Sequence, residues 1–437
     1  MTLLDIDREL IRDSYYEATA PSRIRKPALD TSPSCDVAIV GAGLAGLSAA
    51  LELAQRGLDV VLLEAREAGY GASGRNGGQV IHGLACDMEV VESQLGRAAA
   101  RQVFNLTIQA MDLLRGRIDS LGIDCEWRDG FLSVATSPRK AVQLQAWAKR
   151  MEQIYQYPLD VVCGRAARAW VDSARYHGAA HDPCSGHVHP LKLVRGLARA
   201  AEAAGVRIFE GTPVKALHPG QPARLCTPGG DVRARHVLLA GNVYLREVAP
   251  YLAARVMAVG TYIAATQPLD PGLVDTLIKG RSAVCDTNRI LDYFRPSEDH
   301  RLLWGGRASY STVTPRHLSE SLRRRMVATF PQLQGVRMDY VWGGFVDVTL
   351  NRAPDFGRLP VGSGESSNVY YVQGFSGHGL ALTGLAGRLV AEAIAGDAEG
   401  FDLFARIRHR PFPGGTLLRR PAFVLGRAWY RLRDAIG

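Results

Sequence analysis

The sequence predicts an α/β domain of Rossmann-like type joined to an α+β domain built on an antiparallel sheet. Three patterns predict it. A strand, a glycine turn, a helix and a second strand follow one another from residue 36. A second strand–turn–helix with clustered glycines occurs about 300 residues later. Residues 250–340 alternate apolar and polar side chains repeatedly, as strands with one buried face do.

The first pattern is "DVAIVGAGLAGLSAALELAQRGLDVVLLE", residues 36–64. Residues 37–40 form a short apolar run suited to a buried parallel strand. They enter Gly41-Ala42-Gly43-Leu44-Ala45-Gly46, and residues 44–57 carry helix formers as far as Gly57. A second apolar run, 60–63, ends at Glu64, 23 residues after Gly41. Gly41 permits the turn, Gly43 lets a pyrophosphate approach the backbone, and Gly46 lets helix and strand pack closely. Leu44 and Ala45 open the helix, whose unpaired N–H groups favour phosphate charge. Glu64 accepts hydrogen bonds from ribose hydroxyls and repels a 2′-phosphate. This fingerprint does not separate FAD from NAD. No second copy follows, which favours a single dinucleotide.

The run "GYGASGRNGGQ" (residues 69–79) comes directly after the ribose-binding acid, so it starts near the cofactor. Gly71, Ala72, Gly77 and Gly78 are small enough for a planar ring to lie against backbone, and Ser73, Arg75 and Asn76 supply donors. Such donors suit a ring that becomes electron-rich on reduction. His82 lies just beyond the loop and is a candidate site residue.

Later segments return to the same domain. Residues 185–217 read as a helix, a strand at 206–209 and a short β segment at Val214. Residues 237–240 form another buried strand ending at Gly241-Asn242, small residues suited to the pyrophosphate side. His187 and His189 have ligand-like spacing but no third ligand, so no metal site is expected. The run "NVYYVQGFSGHGLALTGLAGRLVAEAI" (residues 368–394) sets Gly374, Gly377 and Gly379 at a helix start, with His378 among them. A helix N-terminus there would stabilise negative charge on a reduced ring.

The remaining segments suggest a second domain. Residues 97–123 and 137–158 read as amphipathic helices, and "CEWRDGFLSVAT" as a strand pair turning at Asp129-Gly130. Strands follow in "VMAVGTYIAAT", "AVCDTNRILDYFRPS" and "RLLWGGRAS", with a helix in "SESLRRRMVATFPQL". Tyr262, Tyr293, Trp304 and Arg307 are pocket candidates from these strands. Trp342, in "WGG", would wall the ring as the chain returns. Arg352 is a candidate carboxylate clamp and Asp347 a candidate partner for a cation. The expected division is discontinuous: residues 1–83, 176–249 and 341–437 bind the cofactor, and residues 84–175 and 250–340 bind substrate.

Bulk composition limits the alternatives. The chain has 437 residues, 47% of them hydrophobic, and a formal charge of +9. Much of the excess lies in residues 406–433, without a zinc-finger, recognition-helix or RNP-like signature, so no nucleic-acid partner is expected. Residues 409–434 mix apolar and basic groups and would pack on the domain, on a partner or on a membrane surface. The seven cysteines are scattered and never form CxxC, which argues against disulfides and cysteine zinc sites. The N-terminus has no secretory h-region, and no run of 18 apolar residues occurs. A cytoplasmic enzyme without a transmembrane segment is expected; nothing in the sequence specifies its oligomeric state.

Glu64-Ala65 followed by "GASGRNGG", together with "GFSGHG" far downstream, resembles the FAD-dependent family of D-amino acid, glycine and sarcosine oxidases. "SYYEATA" (residues 14–20), "ASGRNGGQ" (72–79), "WGG" (342–344) and "RAPDFGRLP" (352–360) resemble its polyamine-catabolic branch, the gamma-glutamylputrescine oxidoreductases. The resemblance covers nearly the whole chain. It implies a glutathione-reductase-like FAD domain in which Ala65 follows the ribose acid and Val214 meets the adenine through its backbone. It also implies oxidation of an amine, gamma-glutamylputrescine or a related polyamine derivative, by hydride transfer to flavin N5, imine hydrolysis and reoxidation by dioxygen. An oxidase or dehydrogenase of secondary or D-amino acids is the alternative. Sarcosine oxidases tether the ring through a cysteine just before a Pro-Asp element. Here residues 345–353 contain none before Pro354-Asp355, so non-covalent FAD is expected.

Overall fold

A computed structural model describes residues 3–7, 10, 14–288, 291–309, 314–360 and 367–413. The basic segment beyond residue 413 lies outside the described residues, as does the side chain of Arg307.

Among the described residues the strands form two sheets, one of eight strands and one of nine. The first sheet has a parallel centre. Val369–Gln373, Gly230–Leu239, Ser34–Val40, Val60–Leu63 and Arg207–Phe209 lie side by side in that order. Asp355–Arg358 adds an antiparallel edge, and Ala223–Thr227 runs antiparallel to Gly230–Leu239. Val60–Leu63 and Val369–Gln373 are buried throughout, as continuous apolar runs in a covered parallel sheet should be. Helices Leu44–Gln55 and Leu382–Ile394 pack together across one face. Gly387 makes this possible, because a Cβ there would stand 2.5 Å from the Ala49 nitrogen.

The second sheet runs Met338–Thr349, Val256–Thr266, Leu302–Ser309, Tyr293–Pro296, Ala283–Asp286, Arg128–Ala135, Gly178–His187 and Gln79–Val80. It is antiparallel except where Ala283–Asp286 pairs in parallel with Arg128–Ala135, so the sheet is mixed. The strands Gln79–Val80, Gly178–His187 and Met338–Thr349 belong to this sheet, so the chain crosses between sheets inside segments expected on the cofactor side.

The α/β and α+β architecture agrees with the sequence reading, and so do helices Arg97–Ser120, Pro138–Tyr155 and Leu318–Thr329. Ser137 caps the second of these by accepting the Lys140 N–H at 3.3 Å. Two local expectations are corrected. Asp129-Gly130 is not a hairpin turn: Arg128–Ala135 is one strand, and Gly130, at φ +102°, sits at a register shift against Gly178–His187. The helix after "GFSGHG" begins only at Leu382, so the glycines shape a longer turn before it.

Candidate active site

The turn at residues 41–46 is held by backbone proximity. Gly41 has φ +107°, and a Cβ at Gly46 would lie 2.0 Å from the Gly41 carbonyl oxygen. Gly43 precedes helix Leu44–Gln55 as an N-cap without a side-chain cap. The Ala42 N–H is donated to Glu64 Oε2 (2.8 Å) and the Leu44 N–H to Ser73 Oγ (3.0 Å). Glu64 Oε1 accepts the Arg66 N–H at 2.9 Å, and burial raises the Glu64 pKa above the usual carboxylate range. Each carboxylate oxygen still has a lone pair for a hydroxyl donor. A helix start whose N-cap residue is glycine, a glycine-rich turn and an acid at the next strand end fit a dinucleotide's pyrophosphate and ribose.

The second glycine run is held by side chains. Asn76 Nδ2 donates to the carbonyls of Ala72 (3.0 Å) and Ser73 (2.9 Å), and its Oδ1 accepts the Gly78 N–H (2.8 Å). Its amide is therefore used within its own loop. Arg75 is buried and turned away from the loop's open side: Nη1 donates to Asp7 Oδ1 (2.8 Å) and to the Gly343 carbonyl (3.3 Å). Trp342 is buried behind the loop, where its Nε1–H donates to the Arg75 carbonyl at 3.0 Å. Gly78, at φ +77°, has no room for a Cβ, which would stand 2.2 Å from the Val188 carbonyl oxygen.

A cavity of about 830 Å³ lies between this loop, the "GFSGHG" turn and the second sheet. Strand register explains its floor. Gly344 pairs with Thr261, Tyr293 with Cys285, Cys285 with Ser133 and Ser133 with Ala180, and all six line the cavity. Alternate residues of successive strands thus present one surface. Tyr293 fills the space left by two glycines: a Cβ at Gly77 would lie 2.8 Å from its ring, and one at Gly305 2.0 Å. Tyr262 and Trp304 point to the other face, buried in the core of the second sheet, and Tyr262 is packed against Gly343.

The predicted residues fall into three groups. Leu44, Ala72, Ser73, Asn76, Gly77 and Asn242 line the cavity, as do Arg75, Gly377, His378 and Gly379. Gly41, Gly43, Ala45, Gly46, Glu64, Gly71, Gly78, Gly241 and Gly374 stand behind it as turn and packing positions. Ala65 lines a separate hollow of about 550 Å³, and Val214 packs beside the first sheet just before strand Ala216–His218.

His82 and His378 meet. His378 Nε2 lies 2.7 Å from the His82 carbonyl, to which it can only donate, and burial lowers its pKa to about 4. His82 Nδ1 is 2.8 Å from Asp182 Oδ2. Asp182 also accepts from the Tyr157 hydroxyl (2.8 Å) and the Ser185 hydroxyl (2.5 Å). Burial raises its pKa, but His82 first, and then the Ser185 and Tyr157 hydroxyls, outweigh this and hold it at about 2. An ionised Asp182 calls for a proton on Nδ1, so the neutral form of His82 is the tautomer whose lone pair is on Nε2.

The sequence reading missed Asp182, Tyr157 and Asp286, which lie on or behind the cavity wall. An aspartate inside the apolar stretch "GAAHDPC" was the available signal for Asp182. Asp286 and Asp347 are both buried, and burial raises each pKa to about 7. Asp347 Oδ2 accepts the Gly374 N–H at 2.5 Å, so it also closes the "GFSGHG" turn. Arg352 lines the cavity at φ +61° and, among the described residues, makes no ion pair. His187 and His189 are packed histidines: His189 Nδ1 accepts the Lys192 N–H at 3.2 Å, and burial lowers both pKa values. No group of three or more metal-ligating side chains occurs among the described residues.

Comparison with known proteins agrees with this geometry. Residues 36–393 match the family model described as DAO, FAD-dependent oxidoreductase. Gamma-glutamylputrescine oxidoreductase of Escherichia coli K12 is 42% identical over 97% of this chain and 98% of its own length. A probable oxidoreductase of Haemophilus influenzae, OrdL, is 35% identical over 96% of this chain and 97% of its own. The crystal structure of glycine oxidase from Geobacillus kaustophilus superposes with a TM-score of 0.74 at 24% identity, covering 86% of this chain and 99% of that one. At that identity the likeness is one of fold.

Proposed function

We propose that this chain, which belongs to the DAO family of FAD-dependent oxidoreductases, oxidises the free amine of gamma-glutamylputrescine or a related polyamine derivative. The observation that carries the reading is the charge of the cavity wall. Asp87, Asp182, Asp286 and Asp347 line it, against Arg75 and Arg352; Arg75 is paired with Asp7, Asp182 with His82, and Asp286 with Arg175 only at 3.7 Å. Such a wall favours a cation, and an ammonium entering it would bring Asp286 and Asp347 back toward the charged form. Arg352 is left to hold a carboxylate, which gamma-glutamylputrescine carries at its other end.

FAD, when bound, would supply the acceptor for the hydride from the carbon beside nitrogen; the imine formed would be hydrolysed, with dioxygen reduced to hydrogen peroxide. The net change is amine, water and dioxygen to aldehyde, ammonia and peroxide. The residues at 41–46 and Glu64 would hold the nucleotide, and those at 71–78, Gly241-Asn242 and 374–379 the ring and its linker. Glu64 would take ribose hydroxyls, while Ala65 and Val214 would lie beside the adenosine. His82, with its lone pair on Nε2, would accept the proton that frees the amine nitrogen. His378 would stay neutral beside it. Cofactor attachment through sulfur is not expected: burial pushes the Cys86 thiol up to about 12 and the Cys285 thiol higher still, so neither is poised as a nucleophile.

The same reading divides the chain as the sequence suggests, with residues 1–83, 176–249 and 341–437 on the FAD side and residues 84–175 and 250–340 on the substrate side. The cytoplasm is the proposed compartment; all seven cysteines are free thiols, and no helix among the described residues is long and apolar enough to cross a membrane. Arg352 also supports a second reading, an oxidase or dehydrogenase of secondary or D-amino acids, in which it would hold the substrate's own carboxylate.

Anaerobic mixing of the yellow protein with gamma-glutamylputrescine, putrescine, spermidine, sarcosine and D-alanine tests the choice. Bleaching by the first compound is expected; bleaching by the amino acids alone would overturn the proposal in favour of the second reading. A peroxide assay in air then separates oxidase from dehydrogenase.

A further inference from the structure

We infer that the N-terminal segment, as described at residues 3–7 and 14–28, is a strap that sets the shape of the flavin-facing loop, with Asp7 as its positioning residue. The segment precedes the part of the chain that matches the family model, which starts at residue 36. It reaches the loop at three points. Asp7, fully buried, pairs with Arg75 at 2.8 Å and also accepts the Tyr244 hydroxyl. The Tyr16 hydroxyl accepts from Arg295 Nη2 at 3.2 Å, and Arg295 Nε donates to the Gly77 carbonyl at 2.8 Å. Arg23 pairs with Glu67 and with Glu210 (2.6 Å), and Glu210 Oε1 accepts the Ala68 N–H at 2.9 Å. Ala68, Arg75 and Gly77 are thus fixed from behind, on the stretch whose other side lines the cavity.

The Asp7–Arg75 pair is a costly way to gain stability. Two buried charges lose hydration that their attraction roughly restores, so the use best supported for such a pair is to select one arrangement. The arrangement selected here is the direction of Arg75. Its guanidinium is drawn under the loop, 4.4 Å from the Tyr70 ring centroid, and its Cδ lies against Gly344. With the acid gone, Arg75 keeps buried N–H groups that have no partner, Nε and Nη2 among them, and gains a reason to swing toward the cavity. Asp7 therefore acts on the cofactor site through Arg75, without touching the ring.

The inference rests on the FAD reading, and one experiment separates the two. Apoprotein of wild type, Asp7→Asn, Asp7→Glu and Tyr15→Phe is titrated with FAD, and the visible flavin spectrum and the apoprotein melting temperature are recorded. Tyr15→Phe loses the 2.7 Å hydrogen bond to Asp299 on the same strap, remote from the loop, and serves as the packing control. Asp7→Asn is expected to weaken FAD at least about tenfold and shift the flavin band, Asp7→Glu to restore part of both, and Tyr15→Phe to change neither. Equal affinity and spectrum in wild type and Asp7→Asn would overturn the strap alone, as would a loss in Tyr15→Phe as large as in Asp7→Asn. Wild type that takes up no FAD would overturn both readings. Should Asp7→Asn be insoluble, Tyr244→Phe decides: affinity about threefold weaker supports the strap, and unchanged affinity overturns it.

Discussion

The two glycine runs proposed to face the dinucleotide differ in what holds them. The turn at residues 41–46 is closed mainly on itself, Gly46 onto Gly41 and Ala42 onto Glu64, with further ties to Ser73 and Gly69 of the second run. The loop at residues 69–78 is fixed from elsewhere: Asp7, Val188, Arg295 and Trp342 all reach into it. Spacing in the sequence therefore specifies the first run. The second is specified by the assembled molecule.

Changing one residue in each run exposes the difference. Gly46→Val places side-chain carbon inside the Gly41 carbonyl with no flexible neighbour to yield, and should cost about 3 kcal/mol along with FAD retention. Denaturant unfolding of the variant measures it, and near-wild-type stability with bound flavin would refute the backbone account. Trp342→Phe keeps the packing against the Tyr16 ring, 5.1 Å between centroids, but removes the donor to the Arg75 carbonyl. It should cost about 1 kcal/mol and show mainly as faster FAD release. If FAD release stays at the wild-type rate, the loop does not depend on this distant tie.

A third, smaller test concerns the "GFSGHG" turn, which one distant acid closes. Asp347 has its pKa raised by burial to about 7, so the folded state holds a proton that the unfolded chain has already lost. Its contribution is complete at low pH and is lost as pH rises through about 7. Asp347→Asn should therefore melt relatively higher, by about 2 °C, as pH goes from 5 to 8, and a gap that stays flat across this range would contradict the shift.

How much the sequence revealed follows the same division. Residues 36–64 could be read in full, because strand, turn, helix and acid are neighbours and each has its own local signal. Arg75 could be recognised as a candidate donor beside the ring, but its direction could not, since Asp7 lies 68 positions away and no period links them. Tyr262 and Tyr293 looked alike in the sequence; the face of the sheet separates them, and a register shift between Thr261 and Tyr262 makes the face hard to count from sequence alone. The acids on the cavity wall, Asp182 and Asp286, come from strands whose neighbours are set by the whole sheet.

The floor of the cavity has a further consequence. It is assembled from every second residue of adjacent strands, while the proposed nucleotide grip consists of turns on the other sheet and a loop held from behind. One side chain on that floor, such as Ser133, Thr261 or Val346, can change size or charge without disturbing a hydrogen bond to the glycine turns. On the proposed reading, choice of substrate and handling of electrons would be mechanically separable in this molecule, and other amines would be reached through single substitutions on one face of one sheet.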